Sequence, residues 1–164
     1  MRLFFILPFL FFYMAVSAQD QVSNDVKTAS NEDLTHGLPW LTSLDDAKKE
    51  AEKTKKPILV YFTGSDWCAP CVKLEKYFFH TDKFVEESAK YHIVYLDNPF
   101  RDDIISEQEK KINKKLSNKY KVKYPTIIAL DYRGSERNRV ERFSGEDPRY
   151  HWRFMDENRS IFRL

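Results

Sequence analysis

Cys68 and Cys71 are the only cysteines in this chain of 164 residues, and they stand in the run Trp67-Cys68-Ala69-Pro70-Cys71. Two thiols allow a single pairing. Bridging them closes so short a loop that little unfolded-chain entropy is removed, which argues against a structural staple. Redox exchange and metal binding remain, because half of a zinc site has the same spacing. Zinc needs two further ligands, and His36, His80, His92 and His151 are not paired at ligand spacing. The expected metal complement is therefore none, and the histidines are assigned no chemistry.

Redox exchange asks for two thiols with different surroundings. From Cys68 to about Phe79 the apolar residues Cys71, Leu74 and Phe78 recur at helical spacing, so a helix is expected to begin at the cysteines. The first turn of a helix has N–H groups without intrahelical partners and a partial positive charge, which favours a thiolate at Cys68 and brings its pKa below the free value of about 8.5. Cys71 lies on the face shared with Leu74 and Phe78, where burial raises a thiol pKa. Cys68 is thus the expected nucleophile and Cys71 the resolving thiol.

The elements that must position this pair can be read on either side of it. Ser43 is the expected N-cap of a first helix, with Asp46 three residues on; Leu44, Ala47 and Ala51 form its apolar stripe, and it ends near Lys55, before Pro57. Ile58 to Phe62 is a continuous apolar run, as expected of a strand covered on both faces, and Ile93 to Leu96 is a second one. Glu107 to Tyr120 is a lysine-rich helix with Ile112, Leu116 and Tyr120 on its inner face. Pro125 to Leu130 is a third strand, Tyr132 to Ser135 a turn, and Arg139 to Phe143 a fourth strand. Gly145 and Pro148 precede a last helix holding Trp152, Met155 and Ile161. The early β-α-β units imply parallel pairing and the short turn implies an antiparallel hairpin. The expected class is α/β, one domain with a central mixed sheet of about four strands flanked by helices.

The strand Ile58 to Phe62 followed by Asp66-Trp67-Cys68-Ala69-Pro70-Cys71 and Lys73 resembles the thioredoxin active-site signature. Tyr120-Lys121-Val122-Lys123-Tyr124-Pro125-Thr126 resembles the segment with that family's cis-proline, and Gly145 sits where its last strand ends in glycine. The resemblance covers about Trp40 to the C-terminus. It implies a thioredoxin-like fold and protein-disulfide oxidoreductase activity through a redox-active Cys68–Cys71 disulfide, with no other cofactor. It further implies that Pro125 is cis and sets the Tyr124 backbone beside the cysteines to pair with an extended substrate, while Trp67 shapes the rim. Ala69 and Pro70 complete the motif; they are closer to the Gly-Pro of reducing thioredoxins than to the Pro-His of strong periplasmic oxidants, which favours the reducing direction. A binding module of the same fold without turnover, and an oxidant or isomerase, are the alternatives.

The chain departs from the family in two places. The strand position that often holds a buried Asp, thought to move protons for the resolving cysteine, is Tyr61 here; Glu75, four residues after Cys71, could serve but reads as a solvated helix residue. The loop before Pro125 is one residue shorter than usual and lacks a glycine. The leading Trp40 helix and the long segment Asn98 to Ser106 are closer to exported thioredoxin-like proteins than to the shortest cytosolic ones.

Export has its own signal. Arg2, the uncharged stretch Leu3 to Val16 and the small residues Ser17 and Ala18 before Gln19-Asp20-Gln21 are the parts of a signal peptide, expected over residues 1–18. A membrane anchor would need roughly 20 apolar residues, so no stable membrane insertion is expected after cleavage. Residues 19–38 read as a flexible polar leader and 39–164 as the thioredoxin-like domain. The expected location is the periplasm or the exterior, where disulfides form. The expected partners are exported thiol or disulfide proteins and an upstream redox partner. Lys plus Arg is 27 and Asp plus Glu 25, a net charge of +2 spread over both signs, which excludes a nucleic-acid footprint. A monomer is expected.

Overall fold

Ile58–Thr63 forms the central strand β1, and all six of its residues are buried. The computed structural model describes residues 37–164, so the expected signal peptide, nearly all of the leader and His36 lie outside the described residues. Leu38, at the end of that leader, is buried in the core.

The first helix, α1 (Leu44–Thr54), starts as the sequence predicts: Ser43 is its N-cap and its side chain accepts from the Asp46 N–H. Leu44, Ala47 and Ala51 are its buried residues. After β1 come α2 (Ala69–Leu74), a π-helical turn (Glu75–Phe79) and α3 (Asp82–Ser88). The single helix expected from the cysteines to Phe79 is therefore α-helical for six residues and π-helical for the next five, and α3 has no counterpart in the sequence reading. Its signal is local: Thr81 is an N-cap whose hydroxyl accepts from the Phe84 N–H. Strand β2 (His92–Asp97), helix α4 (Glu107–Tyr120), strands β3 (Thr126–Leu130) and β4 (Glu136–Glu141) and helix α5 (Arg149–Phe162) complete the order.

The four strands form one sheet in the order β2-β1-β3-β4, with β1 and β2 parallel and both other pairs antiparallel. This is the mixed sheet expected. Alternation along β1 sorts the core into two layers. Leu59 and Tyr61 face Leu74, Phe78, Phe79, Phe84, Phe154 and Met155, whereas Ile58, Val60 and Phe62 face Leu44, Ala47, Ala51 and Tyr120. The outer edge of β2 is covered by the stretch before α1, where Leu41 bonds to the Ile93 carbonyl and accepts from the Tyr95 N–H.

Three details correct the sequence reading. Ile112 is exposed, and the inner face of α4 is instead Asn113, Ser117 and Tyr120, with Leu116 partly buried. Polar residues occupy that face because they bind the chain beneath the cysteines, as described below. Helix α5 holds Trp152, Met155 and Ile161 as expected, with Ile161 exposed, and it buries His151, Phe154, Met155 and Asn158. Strand β4 begins and ends earlier than expected, because the Asp131 carboxylate accepts from the N–H groups of Arg133 and Ser135, and Gly134 takes a left-handed φ of 82°. This closes the hairpin at once, so pairing starts at Glu136. Gly145, with φ 69°, lies in the turn after β4 and not in the strand.

His151 is buried between the rings of Phe78 and Phe143, and its Nδ1 has no partner among the described residues. Burial lowers its pKa from 6.5 to about 4. The unfolded chain therefore binds a proton that the folded chain refuses between those two values, so this residue's contribution to stability falls as pH drops through that window. From pH 7 to 5 the loss attributable to His151 is expected to be about 2 kcal/mol. Urea unfolding at both pH values should show that loss in the wild type and a clearly smaller one in His151→Phe; equal losses would refute the assignment.

Candidate active site

The turn that leaves β1 is built on a missing side chain. The Gly64 carbonyl accepts from the N–H groups of Trp67 and Cys68, at 3.2 and 2.8 Å. A Cβ on Gly64 would lie 2.2 Å from Cε2 of Trp67, so the indole rests directly on the glycine. Trp67 Nε1 donates to the Asn98 carbonyl at 2.8 Å. Asp97, at the end of β2, accepts from both the N–H and the hydroxyl of Ser65, and burial raises its pKa against the pull of those bonds. Asp66 accepts from the N–H groups of Phe100 and Arg101. The turn is thus bonded to the last residue of β2 and the segment following it at three successive residues, Ser65 to Trp67.

Cys68 follows as the N-cap of α2, and its carbonyl accepts from the Cys71 N–H at 2.8 Å. The two sulfurs are joined in a disulfide. Cys68 keeps 4% of its surface exposed and Cys71 none, so the order of accessibility is the one expected, but Cys68, the expected nucleophile, is more enclosed than its loop position suggested. Ala69 and Pro70 fill the exposed first turn, where the N–H that proline lacks would have had no helical partner in any case.

The remaining residues expected at the site converge on the same end of the sheet. The Tyr124–Pro125 peptide bond is cis. Pro125 is buried, immediately before β3, whose Thr126 pairs with Phe62 near the end of β1. The Tyr124 ring meets Trp67 edge-on with centroids 5.2 Å apart, and its hydroxyl donates to Ser117 Oγ. Asn98 Nδ2 donates to the same Ser117 oxygen, and Asn113 Nδ2 donates to the Asp97 carbonyl. These are the bonds that make the inner face of α4 polar.

Two residues at this end were missed or misread from sequence. Phe100 is 74% exposed and stacks on Trp67 with centroids 5.1 Å apart, extending the aromatic rim outward. The length of the segment Asn98 to Ser106 was legible, but no local pattern says which of its residues turns toward Trp67. Glu75, read as solvated, is only 8% exposed. Its Oε1 accepts from Tyr61 Oη at 3.1 Å, Tyr95 Oη at 3.4 Å and Thr63 Oγ1 at 3.5 Å. Burial raises its pKa, against those hydroxyl bonds. The spacing of four from Cys71 was the available signal, since it puts both residues on one helix face.

His92 and His151 are not part of this arrangement: His92 Nε2 bonds to Thr54 Oγ1, and His151 lies among the rings of Phe78 and Phe143. Among the described residues no three His, Cys, Asp or Glu side chains gather in a way that could hold a metal ion.

Comparison with known proteins adds the family context. Residues 39–131 match a family model described as thioredoxin-like. Over 105 residues, 63% of the chain, the sequence is 31% identical to the disulfide bond reductase DsbH of Chlamydia pneumoniae. Over 126 residues, 74% of the chain, it is 27% identical to the thioredoxin-related protein DsbJ of the same organism. These matches span 62% of DsbH and 35% of DsbJ, less than two thirds of either protein. A solved structure titled DsbH oxidoreductase superposes with a TM-score of 0.65 at 26% identity, covering 77% of this chain and 85% of that one.

The glycine contact makes a sharp test of the turn. Gly64→Ala drives a Cβ into the indole, so Trp67 must move and its bond to Asn98 must break. The Trp67 indole N–H resonance should shift and exchange with solvent faster, and the fold should lose about 1–3 kcal/mol through overpacking. An unchanged indole signal would contradict the packing described.

Proposed function

The chain belongs to the thioredoxin-like family, and from that premise we propose that it is a thiol-disulfide oxidoreductase that reduces disulfides in exported proteins through Cys68 and Cys71. The observation that supports this most directly is a single disulfide at the start of α2, set behind a rim of Trp67, Phe100 and Tyr124 and lying at the end of the sheet where the chain turns through Pro125. A disulfide that staples a fold has no need of an aromatic rim around it. The name of the DsbH relative, a disulfide bond reductase, and the Ala-Pro pair within the motif both support the reducing direction.

In this reading the reduced protein presents Cys68 as a thiolate, favoured by the unpaired N–H groups of the first turn. The thiolate attacks one sulfur of the partner's disulfide, and the other leaves as a thiolate. Cys71 then attacks Cys68 Sγ, forming the Cys68–Cys71 bond and releasing the partner's second sulfur. The partner gains two electrons and the protein loses two. The Tyr124 backbone pairs with the partner's extended chain while Trp67 and Phe100 pack against the residues flanking its cysteine. An upstream redox partner returns the electrons. The chain works as a monomer, in the periplasm or outside the cell.

Insulin reduction with dithiothreitol should exceed the rate of dithiothreitol alone, and the reduction potential should lie nearer the thioredoxin value of about −270 mV than the DsbA value of about −120 mV. Absence of turnover would favour a binding module, and a potential near the upper value an oxidant. Cys71→Ser should trap partners as mixed disulfides and Cys68→Ser should trap few. In the same assay Phe100→Ser should raise KM several-fold with little change in kcat. A better trap in Cys68→Ser would reverse the assigned roles.

For export, expression with the native leader should yield soluble periplasmic protein beginning at or near Gln19. Recovery in the membrane with residues 1–18 intact would show the segment to be an anchor.

A further inference from the structure

Cys68 follows the last residue of β1, whereas the first residue of that strand, Ile58, pairs with Leu130 at the end of β3, roughly 20 Å away along the strand. At that remote end the C-terminus of α1, the β3–β4 hairpin and the C-terminus of α5 meet around a cleft of about 550 Å³, a size that holds a small organic molecule. Lys55 and Lys56 line it from α1, Arg133 and Arg137 from the hairpin and Arg163 from α5. Asp131 is the only acidic side chain in the lining, and it is committed: Oδ1 accepts from the N–H groups of Arg133 and Ser135, and Oδ2 lies 3.6 Å from Arg137. With the Leu164 carboxylate counted as well, a surplus of three positive charges is left.

Helix C-termini call for cations, and Lys55 and Arg163 meet that need for α1 and α5. Lys56, Arg133 and Arg137 exceed it. Nor do ion pairs absorb the charge. Lys55 Nζ and Arg133 Cζ lie 4.7 and 5.2 Å from the centroid of the Tyr132 ring, and Arg133 Nε donates to the Tyr132 hydroxyl. Lys56 Nζ donates to the Ala89 carbonyl, and the Arg163 guanidinium has no partner among the described residues. Beside the disulfide, by contrast, Lys73 is paired with Glu146 and Lys110 with Asp102. Two cations from separate elements gathered on one ring attract an anion more strongly than either does alone. The lining also includes Phe162 and two exposed apolar side chains, Ile161 and Leu164, so the cleft offers apolar surface next to its charge.

We propose that this cleft binds an organic phosphate, with the phosphate group among Lys55, Arg133, Arg137 and Arg163 and the apolar part against Ile161 and Phe162. A phosphate monoester fits better than a carboxylate, because its near-double charge matches the surplus and its three terminal oxygens take several N–H donors at once, the guanidinium forks among them. A soluble phosphate ester and a phospholipid headgroup present the same chemistry.

The test is titration of the isotope-labelled protein, followed through its backbone amide resonances, with phenyl phosphate and separately with phosphatidylcholine vesicles containing phosphatidic acid. Phenyl phosphate should shift the amides of Lys55, Lys56, Arg133, Arg137 and Arg163 saturably, with a Kd of about 1 mM or tighter, and phenylacetate should bind more weakly. The double variant Arg133→Gln/Arg163→Gln should weaken binding about tenfold or more. Lys114→Gln/Lys115→Gln removes the same charge from the exposed face of α4 and should change it less than about twofold. All four side chains are exposed, so both variants should keep the wild-type spectrum elsewhere. If only the phosphatidic acid vesicles bind, and the loss again follows Arg133 and Arg163, the phosphate is that of a lipid headgroup; if phenyl phosphate binds, a soluble ester suffices. No saturable shift with either probe would overturn the proposal. Equal weakening in the two double variants would also overturn it, because the attraction would then come from net charge and not from the cleft.

Discussion

Because β1 lies between β2 and β3 and beneath packed layers on both faces, the position of its last residue is fixed from four directions, and everything at the functional end hangs from that point. Four residues separate Thr63 from Cys68. A flexible link of that length would let the cysteines wander, but Ser65, Asp66 and Trp67 are each bonded to the segment that leaves β2. Since β2 is itself paired to β1 in register from Ile58 and His92 to Thr63 and Asp97, the turn is referred back to the same strand it came from. The cysteines are therefore held by the sheet and not by their own short helix, which is too brief to be stable alone.

The layer beneath the disulfide combines two demands that oppose each other. Trp40, Tyr61, Phe79 and Tyr95 pack as a cluster of rings, which is strong apolar stabilisation. Two of these rings are tyrosines whose hydroxyls need acceptors once buried. Glu75 supplies that acceptor for both, so the phenols and the carboxyl satisfy one another. Replacing Tyr61 with phenylalanine would leave the ring packing in place but remove a donor from a buried carboxyl, and that loss falls on Glu75 and not on the aromatic cluster.

How much of this was legible follows from the range of each interaction. The Ser43 cap, the uninterrupted apolar run of β1 and the cysteine spacing are local patterns, and each appears where the sequence puts it. The mixture of parallel and antiparallel pairing followed from connection lengths. Ile112 misled because an isolated apolar residue on a helix face is indistinguishable from a core residue until the partner element is known. Asn113 and Ser117 look like surface residues for the converse reason: their partners, the Asp97 carbonyl and the Tyr124 and Asn98 side chains, come from other elements. Strand β4 was displaced because four of its six residues are charged, and Arg139 is held by Glu136 and Glu141 in place of a clear apolar signal. Glu75 combined both difficulties, being a charged residue at a helical position whose burial is decided by two tyrosines on separate strands.

The distribution of charge around the disulfide bears on how partners would be chosen. Charged residues are present nearby, but they are committed: Lys73 to Glu146, Lys110 to Asp102, Arg101 to Asp103, and Asp66 to two backbone N–H groups. What faces outward next to the cysteines is Trp67, Phe100, Ala69 and Pro70. Electrostatic complementarity selects among partners chiefly through uncompensated charge, and little is offered here. An aromatic rim and a backbone edge accept many sequences, since every extended chain has peptide groups and most have an apolar residue within reach. On the function proposed above, recognition built this way would discriminate by whether a disulfide lies in an exposed, extensible segment and only weakly by the sequence around it, which would suit a reductant of many partners better than a component dedicated to one.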